Sequence, residues 1–234
     1  MKKILTVVLS LILLVSASSA LAAGKISVEQ EDFYALNNYS DYAYVFAKVA
    51  NVGNKVIKIN AGILEVFDEE GENLTSSDTL YKYAENLEPD EYTYVYMSAK
   101  LEDGQLKQVD DYLLTITGKS ETNTITKRLP VMNLDFQRNV QVNRYSTYDY
   151  AYFTVVNDTD ETIWDINFVY ALLDDNDNIL YVNNDSIGSS KGLAPGSSIE
   201  IRESINSRFM TYYDEHDLVP SKVDAIAYIN IDSN

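Results

Sequence analysis

The chain has 234 residues, 46% apolar and 23% charged, with 19 Tyr and no Cys. That composition excludes a disordered chain and supplies one or two packed cores, while the missing cysteines exclude a disulfide framework and a thiolate metal site. A formal charge of −18 at pH 7 repels phosphate backbones and anionic lipid surfaces, so nucleic acid is not an expected partner.

The first residues read as an export signal. Lys2 and Lys3 form a positive start, Ile4–Val15 is a short apolar run, and Ser16–Ala23 is rich in small residues with Ala20-Leu21-Ala22 as a cleavage site. Residues 1–22 are therefore expected to be a signal peptide. The mature chain would begin near Ala23 and carry a formal charge of −20 once Lys2 and Lys3 are gone. Uncut, Ile4–Ala23 would just reach the roughly 20 residues of a membrane span, but the small-residue tail favours cleavage. The expected location is extracytoplasmic (secreted, periplasmic or cell surface), without stable membrane insertion after cleavage. No Cys follows the leader to take a lipid anchor.

Beyond the leader, Ile26–Leu36 predicts an entering strand. Tyr42–Asn51 alternates cleanly, with Ala43, Val45, Ala47 and Val49 on one face and Tyr42, Tyr44, Phe46 and Lys48 on the other. Gly53-Asn54-Lys55 turns, Val56–Phe67 returns, and Asp68-Glu69-Glu70-Gly71 turns again, Gly71 being free to take positive φ. Leu87-Glu88-Pro89-Asp90 breaks the chain before Tyr92–Met97. Tyr112–Thr117 is a further strand, and Thr122–Arg128 can add a last one. The second half runs in the same order: strands at Met132–Val142, Tyr148–Val156 and Ile163–Leu173, a turn at Asp174–Asn178, a break at Leu193-Ala194-Pro195-Gly196, then strands at Ile199–Ile205 and Val223–Ile231. A short helical turn fits between Ser207 and Val219.

The order repeats because the sequence does. Tyr39–Pro89 aligns on Tyr145–Pro195 without a gap at an offset of 106, placing Tyr42 on Tyr148, Tyr44 on Tyr150, Asn51 on Asn157, Asp68 on Asp174, Leu74 on Leu180 and Pro89 on Pro195. Copies of about 100 residues are sandwich-sized and too long for a solenoid repeat. The expected fold is all-β: two tandem antiparallel β-sandwich domains at 24–130 and 131–234, joined near Pro130.

The shared pattern is an aromatic alternating strand ending in Asn, a strand closing on a Leu-Tyr-Asp-like triplet, an acidic turn, and Leu-x-Pro-Gly. It resembles the FxLYD domain, an immunoglobulin-like sandwich of exported bacterial proteins. In this chain the pattern is carried by Asn157, Tyr170–Asp174 and Leu193–Gly196, and by Asn51, Leu64–Asp68 and Leu87–Asp90. The name-giving Phe is replaced by Tyr170 or Leu64, its Tyr by Leu173 or Phe67, and the last Gly by Asp90 in the first copy. The resemblance implies the fold and an exported protein; it brings no catalytic signature.

Candidate chemistry is sparse. Asp174, Asn176 and Asn178 have the alternate spacing of oxygen ligands and make a weak calcium site, but an EF-hand loop would also need Gly and Glu where Ile179 and Asp185 stand. A solvated hairpin turn is the plainer reading. Three tyrosine rows are candidates for ligand binding: Tyr42 and Tyr44; Tyr92, Tyr94 and Tyr96; and Tyr148, Tyr150 and Tyr152. Exposed, such rows can stack on sugars or hold an extended peptide; buried, they pack across strands or at a domain junction. The only histidine, His216, sits in a charged stretch with no nucleophile motif nearby, and Thr117-Gly118-Lys119-Ser120 lacks the earlier Gly of a phosphate loop. The function expected is non-catalytic recognition of a protein, peptide or glycan through the Tyr faces or strand edges. The alternatives are a structural spacer of an envelope or surface assembly and, distantly, a hydrolase using paired acidic residues.

Overall fold

The computed structural model describes residues 25–120 and 124–232; the expected leader lies outside them. The fold is all-β. In the first half β1 (Ile26–Asn37), β2 (Asp41–Asn51), β3 (Ile57–Phe67), β4 (Asn73–Ser77), β5 (Leu80–Lys82), β6 (Asn86–Leu87), β7 (Tyr92–Lys100) and β8 (Asp111–Ser120) follow one another. Then come β9 (Thr124–Leu129), β10 (Val131–Asn143), β11 (Ser146–Val156), β12 (Ile163–Leu173), β13 (Ile179–Leu193), β14 (Ser198–Ser204), α1 (Ser207–Glu215) and β15 (Lys222–Asp232). The helix fills the place where a short helical turn is expected. Asn206 caps it, the side chain accepting from the Arg208 N–H at 2.9 Å.

Among the described residues the strands form four antiparallel sheets. Sheet I is β4-β3-β6 with β8 also on β3, and sheet II is β1-β2-β7-β5. Sheet III is β13-β12-β15-β9, and sheet IV is β10-β11-β14. The duplication reappears as pairing. Ile57 faces Leu87 in β3–β6, and Ile163 faces Leu193 in β12–β13. Tyr44 faces Ser98 in β2–β7, and Tyr150 faces Ser204 in β11–β14. The two buried asparagines do matching work: Asn51 Nδ2 donates to the Lys55 and Leu87 carbonyls at 2.8 and 2.9 Å, and Asn157 Nδ2 to those of Glu161 and Leu193 at 2.8 and 2.7 Å. Each tethers the end of its strand to the turn beyond it and to the break before the next strand.

Alternation along β2 separates two interiors. Ala43, Val45, Ala47 and Val49 pack with Leu64, Val66, Ile57 and Ile59 of sheet I, closing the first half's core. Tyr44 and Phe46, pointing the other way, join a cluster that includes Tyr181, Phe209 and Tyr213 of the second half. Within the second half, Phe153 of sheet IV meets Phe168 of sheet III with ring centroids 5.3 Å apart. Sheets I, II, III and IV thus stack in that order, with apolar cores at the two ends of the stack and an aromatic junction in its middle.

Two features depart from the sequence reading. Thr124–Leu129, assigned there to the first half, pairs with β15 from Leu129↔Ala227 to Thr124↔Asp232, so the chain has entered the second half's sheet before Pro130. The stretch 179–193, left without a strand, is β13, the 15-residue edge of sheet III. Its polar run NNDSIG lacks alternation because an edge strand is held by pairing to one neighbour and keeps a face in water. In the first copy the matching stretch breaks into β4 on β3, β5 on β7 of the other sheet, and β6 back on β3.

Candidate ligand cleft at the junction

Sheet II turns its aromatic face toward sheet III and α1, and most of that contact is sealed. Tyr34 donates to the Ile179 carbonyl at 2.9 Å, and Asp32 accepts the Ile179 N–H at 2.7 Å, so β1 grips the start of β13. Tyr213 donates to the Leu180 carbonyl. Farther along, Asp224 of β15 accepts the hydroxyls of Tyr92 and Tyr94, both at 2.8 Å. Beside them Arg128 of β9 pairs with Glu91 at 3.1 Å and donates to the Tyr92 carbonyl.

At the opposite margin the two halves part into a half-open cleft of about 340 Å³. Its floor is Phe46, Tyr44, Tyr181 and Phe209, all nearly or fully buried. The Tyr44 and Tyr181 rings stand edge-on to Phe209 at 4.9 and 5.2 Å. One wall is a parallel stack of Tyr81 on Tyr96, centroids 4.4 Å apart and 8° from coplanar, and Tyr42 adds a further ring. Amides and a hydroxyl make the rim: Asn38, Asn183, Asn206 and Ser98. Asn38 donates to the Tyr44 hydroxyl at 2.9 Å, which fixes that ring from the β1–β2 turn.

The cleft is electrically neutral. None of its lining residues is Asp, Glu, Lys or Arg. Burial raises the phenol pKa of Tyr44 against the hydrogen bond from Asn38, and raises that of Tyr96. It pushes Tyr181 up to about 12 against a hydrogen bond from the Asn206 backbone. These hydroxyls therefore stay protonated across the physiological range and can both donate and accept. With no carboxylate in the lining, no general acid or base pair for glycoside hydrolysis is assembled there.

The residues singled out by sequence divide into three groups. Tyr42, Tyr44 and Tyr96 line the cleft. Tyr92 and Tyr94 lie on the same sheet face but are spent on Asp224. Tyr148, Tyr150 and Tyr152 lie on the outer face of sheet IV, away from the cleft. There Tyr148 is 48% exposed, Tyr150 is covered by the Arg202 guanidinium 4.7 Å above its ring, and the three rings follow one another at 6.2 and 5.9 Å. Sequence reasoning missed Tyr81, Tyr181, Phe209 and the rim amides. Tyr81 and Tyr181 sit on strands with no alternating signature, and Phe209 on the short helix.

The proposed calcium ligands form a turn held by its own hydrogen bonds. Asp174 Oδ1 accepts the N–H groups of Asn176 and Asn178 at 2.8 and 2.9 Å, and Oδ2 accepts Asn178 Nδ2 at 2.8 Å. Asn178 therefore presents its amide nitrogen to Asp174. Asp68 repeats the arrangement with the N–H groups of Glu70 and Glu72. His216 is exposed and stacks on Tyr212 at 4.0 Å. A separate open groove of about 750 Å³ surrounds Trp164, the sole tryptophan, 56% exposed and flanked by Asp160, Glu161, Asp165 and Lys127.

Among the described residues no helix is long and apolar enough to cross a membrane. No family model and no curated protein matches the chain. Among solved structures it is similar to the crystal structure of red sea bream transglutaminase at 11% identity and a TM-score of 0.21; the likeness covers 81% of this chain and 27% of that one.

Proposed function

We propose that the chain is a non-catalytic recognition module, exported after loss of its leader and built from two FxLYD-like, immunoglobulin-type sandwiches, which binds a protein, peptide or glycan in the junction cleft. The observation that carries this reading is the cleft itself: half-open, walled by aromatic rings, rimmed by amides, and composed from both halves at once. Concave sites with apolar walls and a few convergent polar groups are where small ligands bind. The uncharged lining, without a nucleophile–base or carboxylate pair, supports binding over turnover. Calcium at Asp174–Asn178 forms no part of the proposal, because the oxygens of Asp174 are already engaged.

The test is chemical-shift mapping of the mature chain against mixed peptide and glycan libraries. Perturbations gathering on Tyr42, Tyr81, Tyr96 and Asn183 support the reading; perturbations confined to the Tyr148–Tyr152 face or to strand edges would move the site elsewhere. A second reading, the rigid spacer, is favoured by the sealed junction of Tyr34, Phe46, Tyr94 and Asp224, which fixes one half against the other. Under that reading the libraries leave the cleft silent and the scattering profile of the chain in solution matches a single rigid body.

A further inference from the structure

Taking the junction cleft as the ligand site, we infer that its ligand is a neutral saccharide, one or two rings long, laid against the Tyr81–Tyr96 wall with its hydroxyls on Asn183, Asn38, Asn206 and Ser98.

Charge selects first. The chain carries 18 basic and 36 acidic side chains, yet none lines this cleft. An ionic ligand entering it would lose water and meet no counter-charge, which is costly. A neutral ligand avoids that cost.

The donor and acceptor inventory selects next. Sugar hydroxyls donate and accept at closely spaced positions, and so do amides and phenols, whereas charged side chains offer only one of the two roles. The rim holds three amides and a serine hydroxyl, and the walls hold phenol hydroxyls. Part of that capacity is unspent. The Tyr42 and Tyr81 hydroxyls and Asn183 Oδ1 make no hydrogen bond to another described residue, Asn183 contributing only a 3.5 Å contact from its nitrogen to the Tyr170 hydroxyl. Tyr81 is 38% exposed, so the outer surface of the Tyr81–Tyr96 stack is open to the apolar C–H face of a ring.

Size and shape select last. About 340 Å³ lies near the small end of ligand sites of roughly 300–1,000 Å³, which suits one or two sugar rings better than an extended peptide. A peptide would also need a strand edge to pair with; two edge strands reach the cleft, the three-residue Leu80–Lys82 and β13 at Tyr181–Asn183, so the peptide arm below tests that alternative directly.

The experiment titrates the mature chain by calorimetry with glucose, galactose and N-acetylglucosamine and with their β-1,4-linked disaccharides cellobiose, lactose and chitobiose. Galacturonic acid and glucosamine serve as charged comparators, and a proline-rich decapeptide as the peptide arm. Tyr81→Ala and Asn183→Ala are made beside Tyr148→Ala, each checked for an unchanged unfolding midpoint. Tyr81 and Asn183 are both solvent-accessible, so the fold should survive their loss. The expected result is saturable binding of at least one neutral sugar, insensitive to salt. Tyr81→Ala and Asn183→Ala each weaken it by about tenfold, the loss of one stacked ring or one good hydrogen bond, and Tyr148→Ala leaves it alone. Tighter binding of a charged comparator with steep salt dependence overturns the inference, and so does sugar binding indifferent to Tyr81 and Asn183. If the decapeptide binds with the same sensitivity to both variants while no sugar does, the saccharide is wrong and the cleft reading stands. If neither sugar nor peptide responds to either variant, both fall.

Discussion

Asp224 offers the sharpest test of how the halves are joined. Its carboxylate takes two phenol hydroxyls at 2.8 Å, and those phenols, Tyr92 and Tyr94, come from the other half. Hydrogen bonds to a charged group contribute roughly 1.5–3 kcal/mol each. Tyr94 is only 3% exposed, so without its acceptor the hydroxyl is left buried and unpaired, whereas half-exposed Tyr92 can turn to water. Asp224→Ala should therefore cost about 3 kcal/mol, most of it through Tyr94. A double-mutant cycle isolates the bond: urea midpoints are measured for Asp224→Ala, Tyr94→Phe and the pair, at pH 7. The geometry requires a coupling of about 1.5–3 kcal/mol. Additive single effects, with coupling below about 0.5 kcal/mol, would mean that the carboxylate does not hold Tyr94 in solution and that the docking described here is wrong. If Tyr92 and Tyr94 were instead free on a ligand face, their conversion to Phe would leave the midpoint almost unmoved.

The other predictions concern the turns and the grip on β13. Asn51→Ala deletes three hydrogen bonds and Asn157→Ala four, both at fully buried sites, and each should cost about 2–4 kcal/mol by thermal unfolding, within about 1 kcal/mol of one another; a large disparity would break the equivalence of the copies. Asp32 has its carboxyl pKa raised, first by burial and then by nearby Asp174, against hydrogen bonds from Ile179 and Gln30. Because the folded state holds that proton more tightly, ionising Asp32 opposes folding, and stability from this group is lost as pH rises through the folded pKa. Asp32→Asn keeps an acceptor for the Ile179 N–H. It should match or exceed the parent at pH 7 and lose that advantage under acid, whereas Asp32→Ala should cost about 1–3 kcal/mol by urea titration. Asp90 sits at φ 67°, where its counterpart Gly196 sits at 71°, so Asp90→Gly relieves a left-handed residue and should raise the melting temperature slightly, by up to about 1 kcal/mol of stability.

The sequence carried the strands and the duplication because both rest on period and register. The alternation of Ala43, Val45, Ala47 and Val49 against Tyr42, Tyr44 and Phe46 is a local property that survives any tertiary arrangement. It also separates two interiors, but it cannot say which face meets which. That depends on what arrives opposite, and for β2 the arrivals are β13 and α1, about 140 to 170 residues later. The reach of Arg128 back to Glu91 and the pairing of β9 with β15 are long-range events of the same kind, which is why the sequence does not show that Thr124–Leu129 joins the sheet of β15. β13 and β5 were invisible for a different reason: β5 is only three residues long, and β13 opens on a run buried throughout, Ile179–Val182, before turning polar, so neither shows a period of two. Yet those are the strands that bring Tyr81 and Tyr181 to the cleft.

The two copies of the tyrosine row meet different fates, and the neighbouring strand decides which. Tyr42, Tyr44 and Phe46 lie beside Tyr92, Tyr94 and Tyr96 of β7, and that continuous aromatic face is covered by the second half. Tyr150 and Tyr152 face Ser204 and Arg202 of β14, and farther along the same strand pair Thr154 and Val156 face Glu200 and Ser198. Ser198, Glu200 and Arg202 stand at the positions of Tyr92, Tyr94 and Tyr96 and are all exposed. Burying Glu200 and Arg202 against an apolar partner would strip them of water without a built counter-charge, so this second face is suited to solvent where the first is suited to contact. A duplication that kept both faces aromatic would leave every chain with an unsatisfied docking surface and invite open-ended association. Making β14 polar ends the stack at four sheets. It also leaves the junction, where both halves supply rings, as the place where the aromatic surface is both concentrated and open.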